Sequence, residues 1–271
     1  MDPFGSKVAV VTGGARGIGR SLAIELSRRG ATVIIIDRAI EEARTVVANN
    51  MQSASARAIE LDVRDSEGMQ RCVEDVIGDH GRIDYMINNA GIGIVGDARD
   101  ISLQDWAEVI DTNLRGVVNG VTSVYRVMAT QGYGHIVNIS SVIGLIPAPM
   151  AIPYGTTKSA INALSFALHA EAKELGIKVS LVCLGYVDTD LWRVIRTVNL
   201  DREGFLQGLP SKKASPDDVA KYVLDRVARS HFLISFPFSV KAVNALYRLL
   251  PKLASCISPH FIKNIRDKRI T

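Results

Sequence analysis

The chain has 271 residues, 47% hydrophobic and 22% charged, a balance that supports a buried core and excludes a disordered or collagen-like polypeptide. Three widely spaced cysteines, Cys72, Cys183 and Cys256, are too few for a disulfide scaffold and fit a reduced, cytoplasmic setting. The net charge of +4 is local: Lys241, Arg248, Lys252, Lys263, Arg266, Lys268 and Arg269 face one acid, Asp267, after His231, so the rest is slightly acidic and no nucleic-acid partner is expected.

Residues 1–6 read as an expression scar outside the fold, and no signal peptide precedes the first apolar run, Val8–Val11. No apolar run is long enough to span a membrane without a charge. Val8–Thr12 reads as a buried strand, followed by a glycine loop and a helical pattern at Ile18, Leu22, Ile24 and Leu26 that ends at Gly30. Further strands are expected at Thr32–Asp37, Ala56–Val63, Ile83–Asn88, His135–Ser141 and Lys178–Cys183, with a last one at Phe232–Ser235. Helices are expected at Ile40–Asn49 and Ser66–Asp79, around residues 105–130, and from Tyr154 to Leu175. Apolar strands separated by helices predict an α/β fold with a doubly wound, Rossmann-like parallel sheet. The pattern reads as one domain over residues 7–238 with a lid at about 186–214, then a basic helical extension over 239–271.

Four features carry weak signals singly. The loop Thr12-Gly13-Gly14-Ala15-Arg16-Gly17-Ile18-Gly19 joins strand to helix, where glycines allow close backbone approach and helix amides face a pyrophosphate. Asp37 ends the second strand, where a carboxylate accepts from ribose hydroxyls and repels a 2′-phosphate; Arg16 and Arg38 are cations that could pair with one. NAD is therefore preferred, with NADP as the alternative. Tyr154 and Lys158 share a helix face at i and i+4, and an ammonium beside a phenol lowers its pKa. Ser140 and Ser141 end the strand before them, where a hydroxyl can polarise a substrate oxygen.

Together with Asp62-Val63, Asn88-Asn89-Ala90-Gly91 and Asn113, these motifs give a chain that resembles the short-chain dehydrogenase/reductase family in its single-domain form. The resemblance covers roughly residues 7–190. It implies a catalytic set of Asn113, Ser141, Tyr154 and Lys158: tyrosine as acid/base, lysine lowering its pKa and binding the nicotinamide ribose, serine polarising the carbonyl, asparagine holding a relay water. It implies cofactor contacts from Gly13, Arg16, Gly17, Ile18, Gly19, Asp37 and Arg38, with Asp62 at the adenine amino group and Val63 beside the ring. Asn89, Ala90, Gly91, Gly185, Val187 and Thr189 complete that set. Leu184 stands where the family usually has proline, which frees a backbone donor and puts the turn after it in question.

The resemblance places the substrate against Ser141, Ile143, Tyr154 and Trp192. The segment Val142–Met150 and the lid residues Leu191, Val194, Ile195, Val198, Phe205 and Leu206 are apolar, which favours a lipophilic secondary alcohol or ketone of steroid, retinoid or fatty-alcohol type. The expected activity is hydride transfer; the alternatives are an NAD(H)-binding regulator without turnover and an NADP-dependent carbonyl reductase. No metal is expected, and the family implies a homodimer or homotetramer. In the tail, Val240, Val243, Tyr247 and Leu250 recur at helical spacing beside Lys241, Arg248 and Lys252. Such a helix either packs over the lid or a neighbouring subunit, or makes peripheral contact with an anionic membrane.

Overall fold

The computed structural model describes residues 2–51, 53, 55–146, 149–207 and 213–237, together with Leu249, Arg266 and Ile270; of Trp192 and Arg193 only the backbone is described. The strands are β1 (Val8–Thr12), β2 (Thr32–Asp37), β3 (Arg57–Glu60), β4 (Tyr85–Asn88), β5 (Ile94–Gly96), β6 (Gly134–Ser141), β7 (Ile177–Leu184), β8 (Arg196–Val198) and β9 (Leu233–Phe236). Seven of them form one parallel sheet in the order β3-β2-β1-β4-β6-β7-β9, the doubly wound arrangement expected.

Side chains alternate across the sheet and divide the core in two. Ala9, Val11, Val33, Ile35 and Val182 pack with Leu22 and Leu26 of α1 (Gly17–Arg28) and with Val219 and Val223 of a helix over Pro216–Ala228. Val10, Ile34, Ile36, Ile136 and Leu181 pack with Met69 and Val73 of a helix over Ser66–His80 and with Val121 and Val124 of one over Gly116–Gln131. Strands buried on both faces explain the continuous apolar runs. The chain winds from β1 toward β3 on one side and from β4 toward β9 on the other, so a crevice opens at the carboxyl ends of β1 and β4.

The helices, in chain order, are α1, α2 (Ile40–Asn50), α3 (Ser66–His80), α4 (Leu103–Val109), α5 (Gly116–Gln131), α6 (Ile152–Ala172), α7 (Leu191–Val194), α8 (Arg202–Gln207) and α9 (Pro216–Ala228). Ser102 and Asp105 close a capping box on α4, and Ser215 accepts from the Asp217 amide at 3.3 Å to start α9, with Pro216 in its first turn. A π-helical turn, Ile110–Arg115, joins α4 to α5. It interrupts the helix expected around residues 105–130 and holds Asn113 in its middle.

Three expectations need correction. The strand read over Ala56–Val63 stops at Glu60, because the Asp62 carboxylate accepts from the Arg64 amide at 3.0 Å and turns the chain. Residues 2–6 are not outside the fold: Phe4 is fully buried, its ring 4.9 Å from Tyr85, and the Ser6 amide donates to Gly30. The short strands β5 and β8 pair with each other in a small separate sheet and were not legible in the sequence. Apart from Leu249, the expected helix of residues 239–251 lies outside the described residues, as does the Trp192 side chain. Among the described residues no helix is long and apolar enough to cross a membrane.

Removing the Phe4 ring leaves a cavity between α1 and β4. Phe4→Ala is expected to destabilise the protein by about 3–5 kcal/mol in urea denaturation, whereas Leu103→Ala, at an 88% exposed position, changes stability by no more than about 0.5 kcal/mol.

Candidate active site

The crevice begins where β1 meets β4. The Asn89 side chain donates to the carbonyls of Thr12 and Gly13, both at 3.0 Å, while the Asn89 and Ala90 amides donate to the Thr12 hydroxyl at 3.0 and 3.1 Å. This holds the glycine loop against β4 so closely that a Cβ on Gly19 would sit 2.1 Å from the Gly13 oxygen. Gly19 therefore serves packing rather than the cavity wall, whereas Gly13, Arg16, Gly17 and Ile18 line the cavity. The first turn of α1 has no acidic residue, and Arg16 at its N-cap gives no side-chain cap, so its amides remain available to an anion.

At the end of β2 the Asp37 carboxylate accepts from the Ala15 amide at 2.9 Å and from the Ala39 amide at 3.0 Å. Its two candidate cationic neighbours are committed elsewhere. Arg16 pairs with Glu42, which that hydrogen bond holds below the usual carboxylate range, and Arg38 lies 3.5 Å from Asp62. Asp62 is also gripped bidentately by Arg64, at 2.7 and 3.0 Å, and this pairing keeps its pKa low. Val63 lies under Gly116, its carbonyl accepting from Asn119 at 2.8 Å. Asp37, Arg38, Asp62 and Val63 all line the cavity, as do Asn89, Ala90 and Gly91.

The central group lies at the ends of β6 and α6. Ser140 and Ser141 alternate across the strand: Ser140 donates to Asn162 of α6 at 2.6 Å, while Ser141 lines the cavity, accepts from the Ile143 amide and donates to the Leu184 carbonyl, both at 3.3 Å. Ser141 is thus the serine that shares the cavity wall with Tyr154. Leu184 does not disturb the turn. It stays in register between Ser141 and Phe236, and the Gly185 amide donates to Phe236 at 2.7 Å. Gly185, Val187 and Thr189 reach the cavity, and Thr189 packs against Gly17, whose Cβ would lie 3.3 Å from it.

The expectation that Lys158 lowers the tyrosine's pKa is not met in this geometry. The Lys158 Nζ lies 5.6 Å from the Tyr154 ring centroid and donates to the Ile139 carbonyl at 2.9 Å. Burial dominates both groups. It pushes the phenol up to about 12, partly opposed by Ser141, and the ammonium down to about 8, partly opposed by Cys183. Asn113 is fully buried and is not part of the cavity wall. Its amide accepts from the Ile92 nitrogen at 2.8 Å and donates to the Ile92 oxygen at 3.0 Å, so the side chain anchors the segment after Gly91.

A single cavity of about 650 Å³ runs from Asp37 past Ser141 and Tyr154 to an apolar end. Ile143, Val142 and Ile146 form one side of that end, with Leu191, Val194, Ile195 and Phe205 opposite. Ile92, Gly93, Val95 and Tyr186 also line it and were not anticipated, and β5 gave no signal. No His, Cys, Asp or Glu cluster that could hold a metal occurs among the described residues.

A family model described as short chain dehydrogenase matches residues 7–199. A Mycobacterium tuberculosis protein named as the oxidoreductase SadH is 32% identical over 256 residues, covering 92% of this chain and 93% of its own. The 3-oxoacyl-[acyl-carrier-protein] reductase FabG of Aquifex aeolicus is 33% identical over 221 residues, covering 80% of this chain and 88% of its own. Among solved structures, a short chain dehydrogenase/reductase from Burkholderia phymatum in complex with NAD matches with a TM-score of 0.84 at 27% identity, covering 93% of this chain and 96% of that one.

The depressed lysine predicts a pH signature. Unfolded, Lys158 holds its proton up to its ordinary value near 10.5; folded, it releases it near 8. Between those values the unfolded chain binds more protons, so stability rises with pH through this window. Urea denaturation of wild type and Lys158→Met, in which Tyr154 and Cys183 are common to both, should show the wild type gaining on the variant from pH 8 to 10.5. A difference that stays constant or moves the other way contradicts a buried, depressed ammonium.

Proposed function

The chain belongs to the short-chain dehydrogenase family, and from that premise we propose that it transfers a hydride between a nicotinamide cofactor and a lipophilic secondary alcohol or the corresponding ketone. The observation that carries the reading is one continuous cavity with a glycine-lined, anion-ready end, an apolar end, and Ser141 and Tyr154 at their junction. Cβ atoms on Gly13 and Gly19 would collide with backbone at 2.8 and 2.1 Å, so the loop is shaped for close approach, which fits a dinucleotide pyrophosphate at the start of α1.

NAD is preferred over NADP. The Asp37 carboxylate, held by two amides, would face a 2′-phosphate as a like charge, and Arg16 and Arg38 are already paired with carboxylates. When bound, the nicotinamide supplies or accepts the hydride. The chain's own residues handle orientation and the proton. Ser141 holds the substrate oxygen, and Tyr154, protonated at neutral pH with its pKa near 12, donates to that oxygen as negative charge develops in the direction of reduction. Lys158, anchored on Ile139, would hold the nicotinamide ribose, and Asn113 positions Ile92 and the adjoining substrate wall.

The apolar end suits an alkyl or polycyclic ketone, and the related 3-oxoacyl-[acyl-carrier-protein] reductases are named for a ketone on an acyl chain. The test is NADH and NADPH absorbance assays over 2-octanone, steroid ketones, retinal and short ketones. Lipophilic ketones with NADH should give the highest kcat/KM; uniformly better rates with NADPH would overturn the assignment to Asp37. Tyr154→Phe should lower kcat by about 10²–10⁴-fold with NADH affinity unchanged, and an equally active variant removes the tyrosine from the mechanism.

A further inference from the structure

Asp97 follows β5 and is only 1% exposed. It is sealed from water by arginines rather than by depth. Arg99 donates to it through its backbone amide at 3.2 Å and its side chain at 3.0 and 3.1 Å; Arg266, from the far end of the chain, donates through Nε at 2.7 Å. Arg99 first and Arg266 second hold the carboxylate well below the usual range. A second tail contact lies nearby, where the Ile270 amide reaches the Asn199 carbonyl at 3.5 Å just after β8.

These contacts fall on the short β5–β8 ribbon, which walls the apolar end of the cavity. The Gly96 amide, next to Asp97, donates to the Met150 carbonyl at 2.8 Å, and Met150 holds a left-handed φ of 70° in the cavity wall. On the other strand, the Arg196 amide donates to Gly93, and the Arg196 side chain pairs with Asp105 and with Glu108 at 3.1 Å. Val95, Met150, Ala151, Ile195, Leu200 and Phe205 form a small core of their own under this ribbon, apart from the two cores of the main sheet. Three-residue strands with so little buried area are held by what pins their ends.

We propose that Arg266 is a positioning residue for the substrate site: its guanidinium ties the C-terminal segment to Asp97 and so fixes the β5–β8 ribbon that closes the apolar half of the cavity. The inference rests on the reading of that half as the substrate site. The tail's basic character then has a local purpose here, a cation for a carboxylate shielded from water. It acts through Asp97 and Gly96 on Met150, without touching the cofactor end.

The experiment compares full-length wild type with Arg266→Ala and Arg266→Lys. Arg266 is half exposed and Arg99 remains on Asp97, so both variants keep the main sheet. Hydrogen exchange tests the latch directly. In Arg266→Ala the amides of residues 94–97 and 196–199 should exchange about tenfold faster or more, the scale of one lost charge-assisted hydrogen bond, while those of β1, β4 and β6 keep their rates. Kinetics with 2-octanone and NADH test the positioning role: KM for the ketone should rise about tenfold with kcat within about twofold and NADH affinity unchanged. Arg266→Lys, which keeps the charge, should restore most of both effects. Unchanged ribbon exchange overturns the proposal, as does a faster-exchanging ribbon with unaltered KM, or a lysine variant as impaired as alanine. An inactive wild type would instead overturn the functional reading, and ribbon exchange would still decide the latch.

Discussion

The stitch between β1 and β4 is the constraint on which the site depends. One asparagine, Asn89, spends its side-chain donors on two successive carbonyls of β1, and one hydroxyl, Thr12, receives the two amides after β4. Parallel strands offer no such bonds beyond their ends, and winding in opposite directions pulls the loops of β1 and β4 apart. Closing that gap with side-chain hydrogen bonds presses the glycine loop onto β4 and α1 onto the loop. A methyl group at Gly13 or Gly19 would break it.

From there, register carries the geometry outward. β6 and β7 stay paired over eight residues, so Ser141 and Leu184 end side by side, and Leu184 and Phe236 continue the same line. Hence Ser141 can donate to the Leu184 carbonyl and still face Tyr154. With leucine at position 184 in place of the proline usual in the family, the strand register continues unbroken to Phe236 and the Gly185 amide still finds its acceptor on β9. Ser140, one residue earlier, points into α6 and binds Asn162, which in turn donates to Gly144 at 2.8 Å. Strand alternation thus gives one serine to the site and the other to the support of the loop beside it.

What the sequence showed and what it hid divide along local and non-local physics. Buried parallel strands, the glycine loop and the Tyr154–Lys158 pair are written in neighbouring residues, and each lies where its pattern placed it. β5 and β8 have three residues each and exist only as each other's partner, a hundred residues apart, so no periodicity marks them. The π turn at Asn113 adds a residue to a helix without altering its composition. Phe4 was passed over because its neighbours resemble an artificial leader, yet an aromatic ring beside Tyr85 is buried whatever its origin. The depth of Tyr154 was hidden for a related reason: spacing gives proximity to a lysine, whereas the burial that pushes the phenol up depends on what the fold packs around it.

Shielding from water also governs how the charge of the chain is arranged. A buried ammonium at Lys158 and a shielded carboxylate at Asp97 are each costly alone, and the protein treats them differently. Among the described residues Lys158 has no carboxylate partner; a carbonyl at 2.9 Å receives it, and burial pulls its pKa down to about 8. Asp97 is given two arginines and holds its charge tightly. A group that must respond to chemistry is left electrostatically soft, and a group that must hold a wall is made stiff. The +4 of the whole chain conceals this division, because the cations of the tail are counted far from the acid that one of them serves.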